Sequence, residues 1–527
     1  MTLPGRTGLF TLFALLLFIA PAAQSSDAPQ AAPTEKTRFE YARSLYVKGA
    51  YDSAVKEFED FVRDFPKGAY TDDALYWLGV YKSMAGDLDG GLDEYKTIVA
   101  LLPTGDRAPA AQLEVANYWS NPANPKHDYE KAVAEYLKLP YFYPESPLCD
   151  DAAYYAALCQ IKAKNYSQAE SELRAFIEKW PGSEYTAPAA YQLGMACLLS
   201  GKTDEALVSF QTVRDNHPEG LYRGKALGAI ELIMRARSGR PLKLSYAYGS
   251  KGSAPGQLNK PQGVALGPEG AVYVSDTGNG RLARLKAGPG SLSLDSASIV
   301  PQTVEKGLRP EEPSGVAAAP DGSVLITDSA LRRVQVFSPE GGLVLTFGKK
   351  GQGAGEFSGP AGIALDDGGN IYVADPGGRK VNRYDPKGRF TTAIAGAGAS
   401  EENQLRSPAG IAIDIEGNII VADSAARKVY RLDRGGRLLG FFGGEPQGRF
   451  RLSEPVGVAV DGVGNVYVCD KGGRTILVLD RDLKPVATFP PEGGDKKALD
   501  SPAGIAVTDS GEIFIADQGA SQILVVK

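Results

Sequence analysis

The 527-residue chain has only two histidines, His127 and His217, and both precede residue 242. Its second half therefore lacks imidazole, the commonest metal ligand and the usual general base near neutral pH. Cysteine is nearly as scarce. Cys149, Cys159, Cys197 and Cys469 are too few for a disulfide framework in a chain this long. None of them stands at CxxC spacing, so a structural zinc site has no support. We read Cys159 and Cys197 as small buried residues at helix contacts. A basic surplus is also missing. Residues 242–527 carry 32 Lys and Arg against 32 Asp and Glu, and the remainder carries 25 against 31. Neither half offers the positive excess on which nucleic-acid binding draws, so no nucleic-acid partner is expected. Long apolar runs are absent too. The stretch from Gly8 to Ala20 is 13 residues, short of the roughly 20 that a spanning helix needs.

That stretch has another reading. Arg6 supplies a positive start, and small residues (Ala20, Ala22, Ala23) precede polar Gln24-Ser25-Ser26. The pattern predicts a signal peptide over 1–23, followed by a disordered Ala-, Pro- and Ser-containing linker over 24–36. No cysteine lies near the cleavage region, which argues against a lipid anchor. The expected mature protein is exported, periplasmic or extracellular, with no transmembrane segment after cleavage.

Two repeats fill the rest. Pro66, Pro103, Pro144, Pro181 and Pro218 close similar segments spaced 37, 41, 37 and 37 residues apart, and the longer one contains the insertion 121–126. Each segment pairs an Ala- and Tyr-rich helix with a second helix. The second helix carries Ala-x-x-x-aromatic or Leu, as in Ala54/Phe58, Ala132/Tyr136, Ala169/Leu173 and Ala206/Phe210. Apolar residues recur at i, i+3, i+4 and i+7, the period of an amphipathic helix. These segments resemble tetratricopeptide repeats, with Gly79 and Gly194 at the first-helix glycine and the alanines at the second-helix position. The resemblance implies a helical solenoid over 37–240, about five repeats and a capping helix, whose surface grips protein partners. The many aromatics here, among them Tyr76, Trp77, Tyr154, Tyr155 and Trp180, are expected mostly to pack between helices.

The second repeat starts at Pro261, Pro313, Pro360, Pro408, Pro455 and Pro502, with spacings of 52, 47, 48, 47 and 47. Each copy reads Pro-x-Gly-Val/Ile-Ala, a turn, then an apolar run ending in Asp276, Asp328, Asp375, Asp423, Asp470 or Asp517. β-branched and aromatic residues alternating with Gly turns predict four-stranded blades. The sixth copy runs out after its third strand, and Lys243–Tyr248 has the pattern to supply the fourth. These copies resemble NHL repeats. The fold expected is therefore a multidomain α plus all-β chain, an α-solenoid followed by a six-bladed β-propeller over 242–527 closed by strand 243–248.

In the family pattern a basic residue follows the Asp. We place it at Arg281, Arg332, Arg379, Arg427 and Arg474, with Ser521 in the sixth copy. One reading is structural, with Asp capping a turn and Arg reaching a neighbouring carboxylate or carbonyl. The other is functional, with the arginines on one propeller face binding an anionic ligand. Relatives that are amidating or streptogramin-type lyases depend on histidine, which this half lacks. Calcium-dependent lactonase propellers use carboxylates, but at no spacing recognisable here. The reading is thus a non-catalytic exported binding or scaffold protein, without cofactor, resident metal or catalytic residue. It is expected to bind protein partners and, at the propeller, a glycan or other anionic ligand. A carboxylate- or calcium-dependent propeller hydrolase or lyase is the alternative.

Overall fold

The computed structural model describes residues 34–217, 219–238, 241–296, 309–394, 404–444, 450–490 and 498–527. The expected signal, 1–23, and the linker as far as residue 33 lie outside the described residues. Contacts between residues divide the chain into two compact units, Met1–Lys202 and Thr203–Lys527.

The first unit is helical: α1 Glu35–Val47, α2 Tyr51–Asp64, α3 Thr71–Met84, α4 Leu88–Leu101, α5 Ala108–Ser120, α6 Tyr129–Phe142, α7 Cys149–Lys162, α8 Tyr166–Lys179 and α9 Thr186–Leu199. Helix α1 begins inside the expected linker because the Thr34 hydroxyl accepts the Thr37 N–H, a side-chain cap for the first turn. The even-numbered helices α2 to α8 end two residues before Pro66, Pro103, Pro144 and Pro181. A residue preceding proline is pushed out of the helical region, so the helix must stop there.

Close packing accounts for the small residues. The expected pairs Ala54/Phe58, Ala132/Tyr136 and Ala169/Leu173 are all buried. In the second hairpin the alanine position is taken by Gly91, where a Cβ would meet the Gly79 carbonyl at 2.8 Å. Gly79 in turn lies under the Tyr95 ring. The aromatics singled out above are buried or half-buried. Tyr154 stacks on Tyr185 at 4.7 Å, and Tyr46 meets Trp77 and Tyr81. The strongly exposed aromatics are others, such as Tyr141 and Phe142 at the end of α6. All four cysteines are free and buried, and burial pushes the Cys159 thiol up to about 12.

The second unit holds α10 Thr203–Asn216, α11 Leu221–Ser238 and six four-stranded antiparallel sheets. Within the third sheet, for example, Ile363–Leu365 pairs with Ile371–Asp375, then Lys380–Tyr384, then Phe390–Ile394. The second strand of each sheet is buried along its length, except at Ala271 in the first, and ends on the repeat's Asp. Six apolar clusters each join two neighbouring sheets. The last of these cores joins the sixth sheet to the first, so the ring is closed. Leu244–Tyr248 is the fourth strand of the sixth sheet and pairs with Gln522–Val526. This is a six-bladed β-propeller, and the closing strand covers the edge that Gln522–Val526 would otherwise present.

Candidate functional site

The six strand-end aspartates stand at the same end of the ring, because each blade has the same strand order. All are fully buried. A buried carboxylate needs donors on both oxygens, and here the backbone supplies them. Asp423 accepts the Arg406 N–H at 2.6 Å, the Ser407 N–H at 2.9 Å and the Ala426 N–H at 2.9 Å. Asp328, Asp375, Asp470 and Asp517 each accept two N–H groups from the segment entering their own blade, and Asp276 accepts the Asn259 N–H. Each Asp therefore ties the loop before the first strand to the turn after the second. Burial raises the Asp470 carboxyl above the ordinary range, against the lowering effect of the Glu454, Ser453 and Gly473 N–H donors.

The basic residues are not equivalent, which corrects the alignment made from sequence. Arg332, Arg379, Arg427 and Arg474 sit four residues after their Asp with φ of 55°, 53°, 54° and 50°. Ser521 occupies the same turn position at 56°, and the first blade places Gly280 there at 58°. Arg281 is one residue further on and pairs directly across from Asp276 in the sheet. It is fully engaged in structure. Its guanidinium donates to Asp276 at 2.7 Å and to the carbonyls of Ser253 at 3.0 Å and Gln257 at 2.7 Å. Lys380, its counterpart in the third blade, likewise donates to the Gly353 carbonyl. The structure thus sets Arg281 apart from the other four, of which Arg379, Arg427 and Arg474 are exposed and Arg332 is half-buried over Gly359. Arg474 makes an exposed contact of 3.3 Å with Asp500.

The ring encloses a central cavity of about 260 Å³ lined by the first strands of all six blades. Its wall is built on Gly263, Gly315, Gly362, Gly410, Gly457 and Gly504, each of which faces a backbone carbonyl of the next blade around the ring. A Cβ on Gly362 would meet the Ala409 carbonyl at 2.6 Å. Only glycine lets the innermost strands approach this closely. The long polar side chains of the wall come from adjacent blades, Lys471 of the fifth, Gln518 of the sixth and Gln262 of the first, and Ser314 of the second also lines it. The Lys471 ammonium donates to Gln518 Oε1 at 3.4 Å. Sequence reasoning missed these residues. Lys471 and Gln518 directly follow their Asp, where other blades place Thr277, Ser329, Pro376 and Ser424. A long polar side chain at that position was the signal.

Comparison with known families agrees with this architecture. Residues 314–395 match a model described as a 6-bladed beta-propeller, and residues 258–285 match the NHL repeat. Residues 119–235 match YfiO, described as an outer membrane lipoprotein. The chain therefore joins tetratricopeptide-like helices to an NHL-type propeller. No curated protein matches it. Solved structures similar to it include a catalytically inactive virginiamycin B lyase from Staphylococcus aureus, with 16% identity and TM-score 0.37 over 52% of this chain and 82% of that one. A protein of unknown function from Bacteroides thetaiotaomicron has 16% identity and TM-score 0.41 over 54% of this chain and 76% of its own. A gluconolactonase from Xanthomonas campestris has 16% identity and TM-score 0.38 over 54% and 88%. No activity is carried over from them. No described helix is long and apolar enough to cross a membrane.

Proposed function

We infer that this chain is an exported, non-catalytic scaffold of the cell envelope, released from its signal near Ala22 or Ala23. The tetratricopeptide-like helices grip a protein partner, and the arginine-bearing end of the propeller binds an anionic group on a second protein or an envelope glycan. The observation that supports this most is the backbone at Arg332, Arg379, Arg427 and Arg474. A left-handed conformation costs a non-glycine residue about 1–2 kcal/mol, and glycine fills the same position in the first blade. Four blades nevertheless hold arginine there, at one end of the ring. Strain kept at a recurrent turn position, exposed in three of the four blades, points to a use for the side chain. The match of residues 119–235 to an outer membrane lipoprotein model supports the envelope as the setting.

The test compares the full chain with a variant carrying R332G, R379G, R427G and R474G. Glycine suits the turn, so folding should be unharmed. Captured from the native host after mild cross-linking, the parent should bring down a reproducible set of partners, and the variant should lose part of that set. Identical sets from both would remove the arginines from the binding face, and no set from either would remove the scaffold reading.

A further inference from the structure

The arginine turns leave the centre of the ring unexplained. The central cavity is not symmetric, although the fold that builds it is. Lys471, Gln518 and Gln262 come from three consecutive blades. Each blade adds one Val or Ile to the wall, and on the opposite arc Val316, Ile363 and Ile411 stand with no long polar side chain beside them. The residues lining this cavity therefore supply one cation and two carboxamides from one arc and branched hydrocarbon from all six blades, with Ser314 as the other polar side chain and no Asp, Glu or His among them.

The geometry points to a binding site for a small organic carboxylate with an apolar chain, separate from the arginine turns and independent of the scaffold reading. Each part of such a ligand has a counterpart. The carboxylate meets the Lys471 ammonium, which lies 3.4 Å from Gln518 Oε1. A lysine held against a neutral amide keeps its positive charge uncompensated by that partner, and it has three donors to give. The amide that accepts from Lys471 through its oxygen carries an NH₂ on its other side, a second donor for the same carboxylate. Gln262, on the next blade, offers a third polar contact. The hydrocarbon chain lies along Val316, Ile363 and Ile411, where burial removes apolar surface from water. The single positive charge selects a monoanion over a phosphate dianion, which calls for several cationic donors. A lining of one ammonium and no carboxylate opposes a metal cation by charge. Size limits the ligand as well, since about 260 Å³ suits a short acyl chain rather than an oligosaccharide.

The test uses the full-length protein and three probes of one shape: hexanoate, hexanol and hexylammonium. Titration calorimetry, with saturation-transfer NMR for weak binding, should show saturable hexanoate binding. Hexanol and hexylammonium should bind at least about tenfold more weakly, the scale of one charged hydrogen bond. K471M should reduce hexanoate affinity about tenfold or more while K471R retains it, and Q518L should weaken it severalfold with the charge still in place. The four-arginine variant should bind hexanoate like the parent, which separates this site from the arginine turns. The assignment fails if hexanoate does not saturate, if hexylammonium binds as tightly, or if K471M leaves affinity unchanged. If K471M does not fold, as its melting curve would show, unchanged affinity in Q518L overturns it instead.

Discussion

Each strand-end aspartate carries the cost of a buried carboxyl, and in most blades it is offset by main-chain N–H groups. Exposed pairs such as Arg474–Asp500 contribute little, because water and salt screen them. Asp423 is different, because it is fully buried and its oxygens accept from Arg406, Ser407 and Ala426. Asparagine is nearly the same size, but its NH₂ would point a donor at another donor. We expect D423N to lower propeller stability by roughly 2–3 kcal/mol, the scale of a buried charged hydrogen bond left unmade. Urea unfolding followed by tryptophan-independent circular dichroism would read it, and an unchanged midpoint would contradict this role. The Asp pattern was legible in sequence because it recurs in every copy. The alignment of the arginines was not. Counting to the next basic residue puts Arg281 with the others, whereas the turn fixes its left-handed position four residues past the Asp and fills it with Gly280 in the first blade. Lys471 and Gln518 were hidden for another reason. A repeat shows what the copies share, and these two matter because they differ.

At the scale of the element, the blade is made by its first strand. The motif Pro-x-Gly-Val/Ile-Ala announces a tight inner strand, but the group that forbids a side chain on each glycine belongs to the next blade, 46 to 51 residues along the chain. At the closure it is further still, since Gly504 faces the Gln262 carbonyl across the whole propeller. Periodicity reveals such a glycine, and only the closed ring reveals its partner. The contact is backbone against backbone, so little can yield. G362A should destabilise the propeller by about 2 kcal/mol or more through overpacking. The same change at Gly224, in α11 with open space around the position of a Cβ, should be neutral or stabilising by up to about 1 kcal/mol. Denaturant midpoints of the two variants decide this, and equal effects would mean that the inner ring relaxes to accept the methyl group.

At the scale of the molecule, the place where the propeller begins is the part that repeat spacing does not reveal. Sequence puts it at 242, after the last helix, whereas contacts place α10 and α11 in the same compact unit as the blades. The reason is visible in α11. Gly228 leaves room for the Asp509 carbonyl in the sixth blade, and Leu232 packs on Gly511. The Arg235 guanidinium donates to the Gly511 carbonyl at 3.1 Å, and Glu231 lies 3.9 Å from the Lys527 ammonium. This helix covers the blade closed by the earliest strand of the propeller, where Lys243 and Lys527 exchange backbone hydrogen bonds at 2.9 Å. Removing it would take away buried Leu232 and expose the sixth-blade surface it covers, at roughly 1.5–3 kcal/mol for one such side chain. It would also remove the Glu231 contact to Lys527, beside the paired chain ends that hold the ring shut. We therefore expect a 203–527 fragment to unfold at a clearly higher temperature than a 242–527 fragment. The shorter piece should lose protection first at Leu244–Tyr248 and Gln522–Val526 in hydrogen exchange. If the two fragments melt together, α11 rests on the propeller without holding it, and 242 is the true boundary of an independent fold.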